Sequence, residues 1–482
     1  MLEAGSRSLF ALTRADRERL LGRLQLAVRR ARRSGSQTLA TASLPLPAEV
    51  DPTAVVCASR EAGEPWFAFE QPDRGRAALA GLGEAVSLTA AGSGRFAAVA
   101  ERWQRLSATA ASDVPDDDAG GGPVAFGGFA FAPDGGRSPH WAGFAPAQLT
   151  VPRLLLTRAA REGEAGVRLT LAALVSPDDI AEELLVHLQA RVERLRADAL
   201  PLLDPAPAGR FQVASVLAPE HYEAAVARAV ELIGAGEIEK VVLAREVQVH
   251  GPRAYDPAAL IGVLREEFPS CFCFCVGRRE ATLIAASPEL LVRREGQRVS
   301  TLALAGSSRR SADPAVDDHL GEQLLHDKSY REEHAIVVRR IARALAPYSV
   351  WVTAAPEPAL VRVANIQHLG APIRAQLAAP MEALELAGLM HPTPAVGGEP
   401  LRAAAPLIPA LEGLDRGWYA GPVGWTDATG DGEFCVALRC ALLRGAVARC
   451  YAGNGIVRES DPAAELAETE VKLAALLPLL AS

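Results

Sequence analysis

The chain has 482 residues, 49% hydrophobic and 22% charged, with a net charge of −8. That length can bury a large core and admits two or more domains, and the composition is that of an ordinary globular protein. The acidic balance gives no general reason to expect nucleic acid or an anionic membrane as partner. No apolar run approaches the roughly 18 residues of a membrane span and no signal peptide is read, so a cytoplasmic, non-membrane protein is expected.

Basic charge is local. Residues 1–37 hold nine arginines against Glu3, Asp16 and Glu18. The run 14–33 reads as an amphipathic helix, and its internal acids argue against a transit peptide. From 38 to about 205 short strands mix with loops. The acidic stretch 113–118, followed by Gly120 to Gly122, reads as an exposed loop. Residues 124–131, Val-Ala-Phe-Gly-Gly-Phe-Ala-Phe, lack the Gly-Lys-Ser/Thr ending of a phosphate loop and read as a glycine-bearing core strand with bulges. A helix over 178–197 runs into the Pro-rich stretch 200–209, the best candidate boundary. The expected organisation is a basic helical segment, 1–37, then a part that completes the sheets, 38–209, and a catalytic domain, 210–482.

Beyond the boundary the pattern sharpens. Tyr222, Val226, Val230 and Ile233 form a helical stripe closed by Gly234 and Gly236, and a strand follows over 238–249. Cys271, Cys273 and Cys275 alternate with Phe272 and Phe274, a period-2 strand whose thiols are expected buried and reduced. Residues 282–293 read as one more strand-like run, 306–318 as a polar turn, 320–345 as one long helix, and 350–457 mostly as strands and loops. Asp461-Pro462 announces the last helix. No internal repeat is apparent. An α+β protein with large, mainly antiparallel sheets fits this order.

Only three of the 50 basic residues are lysines: Lys240, Lys328 and Lys472. A lysine kept in an arginine-rich background can mark a task that needs a removable proton. Lys240 shares a strand face with Val242 and Ala244, where desolvation would suit a general base; a strand-end lysine reaching solvent explains the segment equally well. Glu465, Glu468 and Lys472 share one face of the last helix, either as a solvated stripe or as part of a site. The preceding Tyr451-Ala-Gly-Asn-Gly-Ile-Val457 allows close approach of a ligand to backbone amides. Carboxylates of Glu332 or Glu333 and of the last helix would together suit Mg2+. Glu289, flanked by apolar residues, is a candidate acid, and a Pro-Glu turn accounts for it as well.

Taken together, Ile238-Glu-Lys-Val-Val-Leu-Ala-Arg245, Ala286-Ser-Pro-Glu-Leu-Leu291, Leu304-Ala-Gly-Ser-Ser-Arg-Arg310, Glu333-His334, Gln367-His-Leu369, His391-Pro-Thr-Pro-Ala-Val396, Gly453-Asn-Gly-Ile-Val457 and Glu465-Leu-Ala-Glu-Thr-Glu-Val-Lys472 occur in family order. The chain resembles the chorismate-utilising enzymes, most closely the isochorismate synthases. The match is strong over about 215–478. The resemblance implies the anthranilate synthase component I-like fold, two packed, largely antiparallel sheets with surrounding helices and a deep central cleft.

It also implies a reaction. Lys240 would activate water for attack at C2 of chorismate, and Glu289 would protonate the departing C4 hydroxyl, giving isochorismate reversibly. Mg2+ would be held by Glu333 and Glu468, with Glu465 nearby. Arg439, Lys472 and the Gly453 and Gly455 amides would bind substrate carboxylates, beside Gly306, Ser307, His368 and Ala395. Lys240 and the Thr-Pro-Ala-Val form of 393–396 separate this pattern from the ammonia-using anthranilate and aminodeoxychorismate synthases. Salicylate synthase, which also expels pyruvate, is the runner-up. Tyr330 departs from the family, which usually has an acid there. A monomer or homodimer serving menaquinone or siderophore synthesis is expected.

Overall fold

The computed structural model describes residues 9–112, 122–159, 166–204 and 207–481. The acidic loop expected at 113–118 lies outside them, as do residues 1–8 and two positions of the Pro-rich boundary.

Local chemistry starts several helices in the same way. Asp51, Asp256, Asp313 and Asp461 each accept a backbone amide two or three residues on, with proline next at the start of the helix. The carboxylate satisfies an orphan donor, and proline has none to satisfy there.

Two antiparallel sheets form the body. The continuous path of the twelve-stranded sheet runs Thr38–Leu46, Val167–Val175, Leu154–Arg158, Ala77–Leu82, Trp66–Gln71, Phe272–Arg278, Ala281–Ser287, Cys440–Arg444, Val447–Ile456, Lys240–His250 and Gly398–Glu399. That of the ten-stranded sheet runs Ser349–Ala354, Ile366–Leu377, Arg298–Arg309, Leu290–Glu295, Gly432–Val436, Pro422–Asp427, Val124–Phe129, Ala147–Val151 and Val86–Ala90. Strands from both sides of the Pro-rich stretch are neighbours in each sheet, Trp66–Gln71 beside Phe272–Arg278 and Val124–Phe129 beside Pro422–Asp427. The faces meet in an aromatic core where Phe67 and Phe126 stack at 3.9 Å. Alternation sends Phe272 and Phe274 into that core and Cys273 and Cys275 to the outer face under the helices. All seven cysteines are buried and free.

Strand for strand, the two halves repeat. The first runs helix (Arg14–Ser34), strand, short helix (Pro52–Ser59), two strands, and a crossover to a strand of the second sheet. A helix (Arg95–Ala108) follows, then two more strands there, a return crossover, two strands and a closing helix (Ala181–Val192). The same order recurs from Pro219–Gly234 through Pro257–Glu267 and Ala383–Met390 to Pro462–Leu473. In each half the opening and closing helices pack together. The expectation of no internal repeat is thereby corrected. The repeat is one of topology, and insertions on either side of Ala383–Met390, spanning 298–377 and 391–412, break it up in the second half.

Other boundaries also shift. The run 282–293 is two strands in different sheets, because Pro288 lacks the amide that would continue the ladder. The expected turn begins inside a strand, Arg298–Arg309, with a bulge at Gly306. The long helix is two, Pro314–His326 and Lys328–Leu345, because Asp327 leaves helical geometry and caps Tyr330 N at 3.1 Å. The helix near 180 is shorter, Ala181–Val192. Residues 350–457 include the helices Ala383–Met390 and Leu401–Glu412, the latter masked in the sequence by Pro406 and Pro409. Among the described residues, no helix is long and apolar enough to cross a membrane.

Candidate active site

The two crossovers of the second half lie side by side. Val436 N donates to Glu289 O at 3.0 Å, and Ala286 N donates to Arg439 O at 3.1 Å. Arg439 sits at φ 46, a strained backbone conformation for a side-chain-bearing residue. Both side chains face a cavity of about 320 Å³.

Lys240 opens the strand Lys240–His250 and is fully buried, with Nζ donating to Glu333 Oε1 at 2.8 Å. Val242, on the same face, lines the cavity. Glu333 reaches in from the helix Lys328–Leu345, where the neighbouring His334 donates from Nε2 to Ala303 O at 3.2 Å. Glu289 is buried, and desolvation, opposed by the Lys240 charge, pushes its carboxyl up to about 8.

The last helix supplies the opposite wall. Lys472 is 2.8 Å from Glu468 and donates to Gly453 O at 3.0 Å and Asn454 Oδ1 at 2.7 Å. Burial and the Glu468 carboxylate push Glu465 up to about 7; it accepts from Ser460 at 2.6 Å and from Asn454 Nδ2 at 2.9 Å. Gly453 and Gly455 lie opposite Ala244 and Val242. Those partners turn their amides away, Val242 to Gly397 O and Ala244 to Glu412, both at 2.7 Å. The two glycine amides therefore face the other edge, beyond the last pairing at Cys450.

Gly306, at φ 71, bulges towards Tyr330. Ser307 and His368 follow on paired strands, with Ser307 Oγ 3.0 Å from His368 Nδ1. Ala395 closes another side. Lys328 points away; its side chain is 90% exposed and 3.8 Å from Glu332, an i,i+4 surface pair.

Among the described residues, no three metal-binding side chains stand close enough together to hold an ion. The lysines now neutralise two of the carboxylates. Glu468, Glu465, Glu333 and Asp327 nevertheless line the same cavity as Tyr330, whose phenol burial and these carboxylates push upward. Their donors are all carboxylate oxygens, which suits a hard divalent cation.

A family model described as chorismate binding enzyme matches residues 26–481. The chain belongs to the chorismate-binding enzymes. It is 37% identical to the salicylate biosynthesis isochorismate synthase of Pseudomonas aeruginosa, over 96% of this chain and 94% of that protein. It is 35% identical to isochorismate synthase MenF of Bacillus subtilis, over 83% and 85% of the two chains. The structure of MenF from Escherichia coli, a menaquinone-specific isochorismate synthase, superposes with a TM-score of 0.76 at 27% identity, covering 95% of this chain and 99% of that one.

Within this chorismate-binding frame, several residues of the cavity wall, Arg416, Tyr419 and Tyr451, and the partners packed against them or beside it went unnoticed in the sequence. Arg416 and Glu412 form a buried ion pair at the rear. Trp141, Tyr451 and Tyr419 stack in a row, at 5.9 and 5.1 Å. Asn454 bridges Glu465 and Lys472. A lone arginine carries no signal in a chain this rich in arginine, whereas Asn454 between two glycines could have been noted.

Proposed function

We propose that this enzyme is an isochorismate synthase, converting chorismate to isochorismate reversibly. The observation that carries the reading is the pairing of unlike groups: a strand amine buried against Glu333, which lines the cavity, and a carboxyl in the cavity wall that burial holds protonated near neutrality. In this reading Lys240, as the neutral amine, takes a proton from water as the water oxygen bonds C2, and Glu289 gives its proton to the C4 hydroxyl, which leaves as water while both ring double bonds shift. The reverse reaction exchanges the roles. With burial raising its value to about 8, Glu289 keeps its proton at pH 7, as an acid must.

Arg439, Lys472 and the free amides of Gly453 and Gly455 are assigned to the substrate carboxylates, with Gly306, Ser307, His368 and Ala395 shaping the remaining wall. Glu333, Glu468 and Glu465 are assigned to Mg2+, which would supply positive charge for a substrate carboxylate. The relatives named above are isochorismate synthases of menaquinone and salicylate synthesis, and either pathway would use this product.

Incubating the purified protein with chorismate and Mg2+ and separating the products tests the reading. Isochorismate is expected. Salicylate with pyruvate as the main products would replace it by salicylate synthase, and no turnover would sink both.

A further inference from the structure

Arg416 has no part in the reaction above, yet it lines the cavity and is only 4% exposed. Its Nε donates to Glu412 Oε2 at 3.0 Å and its Nη2 to Glu412 Oε1. The guanidinium also reaches two carbonyls: Nη1 donates to Val396 O at 2.8 Å and Nη2 to Val242 O at 2.9 Å. Glu412 Oε1 accepts from Ala244 N at 2.7 Å, and the Phe131 ring lies 4.2 Å from the guanidinium carbon. Val396 adjoins Ala395 on one wall. Val242 and Ala244 share the strand and the face of Lys240. One fork thus spans two segments that approach the cavity from different parts of the fold. They are also joined by the short pairing of 240–241 with 398–399 and by the Glu239 N to Glu399 O and Val242 N to Gly397 O bonds.

We propose that Arg416, oriented by Glu412, is a positioning residue that sets the distance between the Ala395 wall and the Lys240 strand; this rests on the isochorismate synthase reading. A buried ion pair is a weak device for stability, since well-packed apolar residues often serve as well. Apolar side chains cannot hold two carbonyls at a fixed spacing, and a planar fork with five donors can. Displacing a reacting group by about 1 Å can cost on the order of 100-fold in rate.

Two variants test this. Arg416→Lys keeps the charge but cannot span both carbonyls and the carboxylate. The double variant Glu412→Leu/Arg416→Met leaves no orphaned charge, so it decides the matter should the single variant fail to fold. Each is assayed for isochorismate formation, melting temperature and amide exchange over 240–244 and 393–397. The expected result is a folded enzyme with kcat lowered about 10- to 100-fold, KM for chorismate within about threefold, and faster exchange in both segments. Wild-type kcat in the folded double variant, even with a lower melting point, would reduce Arg416 to a structural role and overturn the proposal. A wild-type protein that forms no isochorismate would instead overturn the functional reading, and this role with it.

Discussion

Lys240 Nζ and Glu333 Oε1 meet at 2.8 Å directly over Gly455. A Cβ on Gly455 would lie 2.2 Å from that oxygen and 2.6 Å from Lys240 Cε. The glycine leaves the space in which a strand lysine and a helix glutamate meet. Its φ is not positive, so the requirement is for room rather than for backbone freedom. Gly455→Ala is therefore expected to displace both side chains and lower kcat by about 100-fold or more, while the melting temperature falls only modestly. Steady-state kinetics beside a thermal melt check this; near-normal turnover in the variant would show that the pair tolerates displacement.

Lys240→Arg separates charge from chemistry. The guanidinium keeps the positive charge beside Glu333 but cannot give up its proton at any working pH. If Lys240 is the base, kcat should fall by about 10²- to 10⁴-fold, the usual contribution of a positioned proton acceptor. Lys240→Ala should lose as much and also leave a half-paired buried carboxylate, with a lower melting temperature. Turnover near wild type in either variant would remove the base assignment.

The pH dependence follows from Glu289. Burial raises its folded value from 4.5 to about 8, so between those limits the folded state holds a proton that the unfolded state has released. Stability should therefore fall as pH rises from 4.5 towards 8, by a few kcal/mol in all, and then level off. Activity in the chorismate-to-isochorismate direction should decline above about pH 8 as the acid is lost. Glu289→Gln should remove the stability slope and lower kcat by about 10²-fold or more. Chemical denaturation at several pH values, with matching rate profiles, measures both; an unchanged slope in Glu289→Gln would assign it elsewhere.

The sequence made some of this site legible because its signals were local. A scarce lysine on an apolar strand face marked Lys240, and the three-and-four spacing on one helix marked Glu465, Glu468 and Lys472. Asp461-Pro462 marked the start of the closing helix. Glu289 was visible as a residue but not as a crossover, since the apolar run continues on both sides of Pro288 and nothing local says that the chain changes sheets there. Arg416 was invisible because its partners are carbonyls some 20 and 174 positions away. The repeat of the two halves was hidden for a related reason: it lies in strand order, and the insertions carrying Gly306, Glu333, His368 and Ala395 separate its parts.

If Glu333 and Glu468 hold Mg2+, the ion must compete with Lys240 and Lys472 for them. Binding to the folded protein alone would raise the melting temperature, by about 2.7 kcal/mol of stability at 100 times Kd. Full chelation should abolish turnover, and Mg2+ should raise the wild-type melting temperature more than that of Glu468→Gln. Activity surviving chelation, or an equal thermal shift in both proteins, would remove the metal assignment.

Arg439 is aimed by His368. Its Nη2 donates to His368 Nε2 at 3.0 Å. Arginine can only donate, so that ring nitrogen is bare and the proton sits on Nδ1, 3.2 Å from Gly306 O and 3.0 Å from Ser307 Oγ. Burial first, then the Arg439 and Lys472 charges, hold the imidazole well below its usual value, so it stays neutral and keeps accepting. His368 thereby ties the guanidinium at the strained crossover to the Gly306 bulge. His368→Ala should free Arg439 and raise KM for chorismate by about tenfold, equivalent to ~1.4 kcal/mol, with a smaller change in kcat. His368→Gln, whose amide oxygen can accept from Arg439, should recover part of the loss. KM should show no step near pH 6.5 from this residue. An unchanged KM in His368→Ala would mean that the guanidinium is held by its backbone alone.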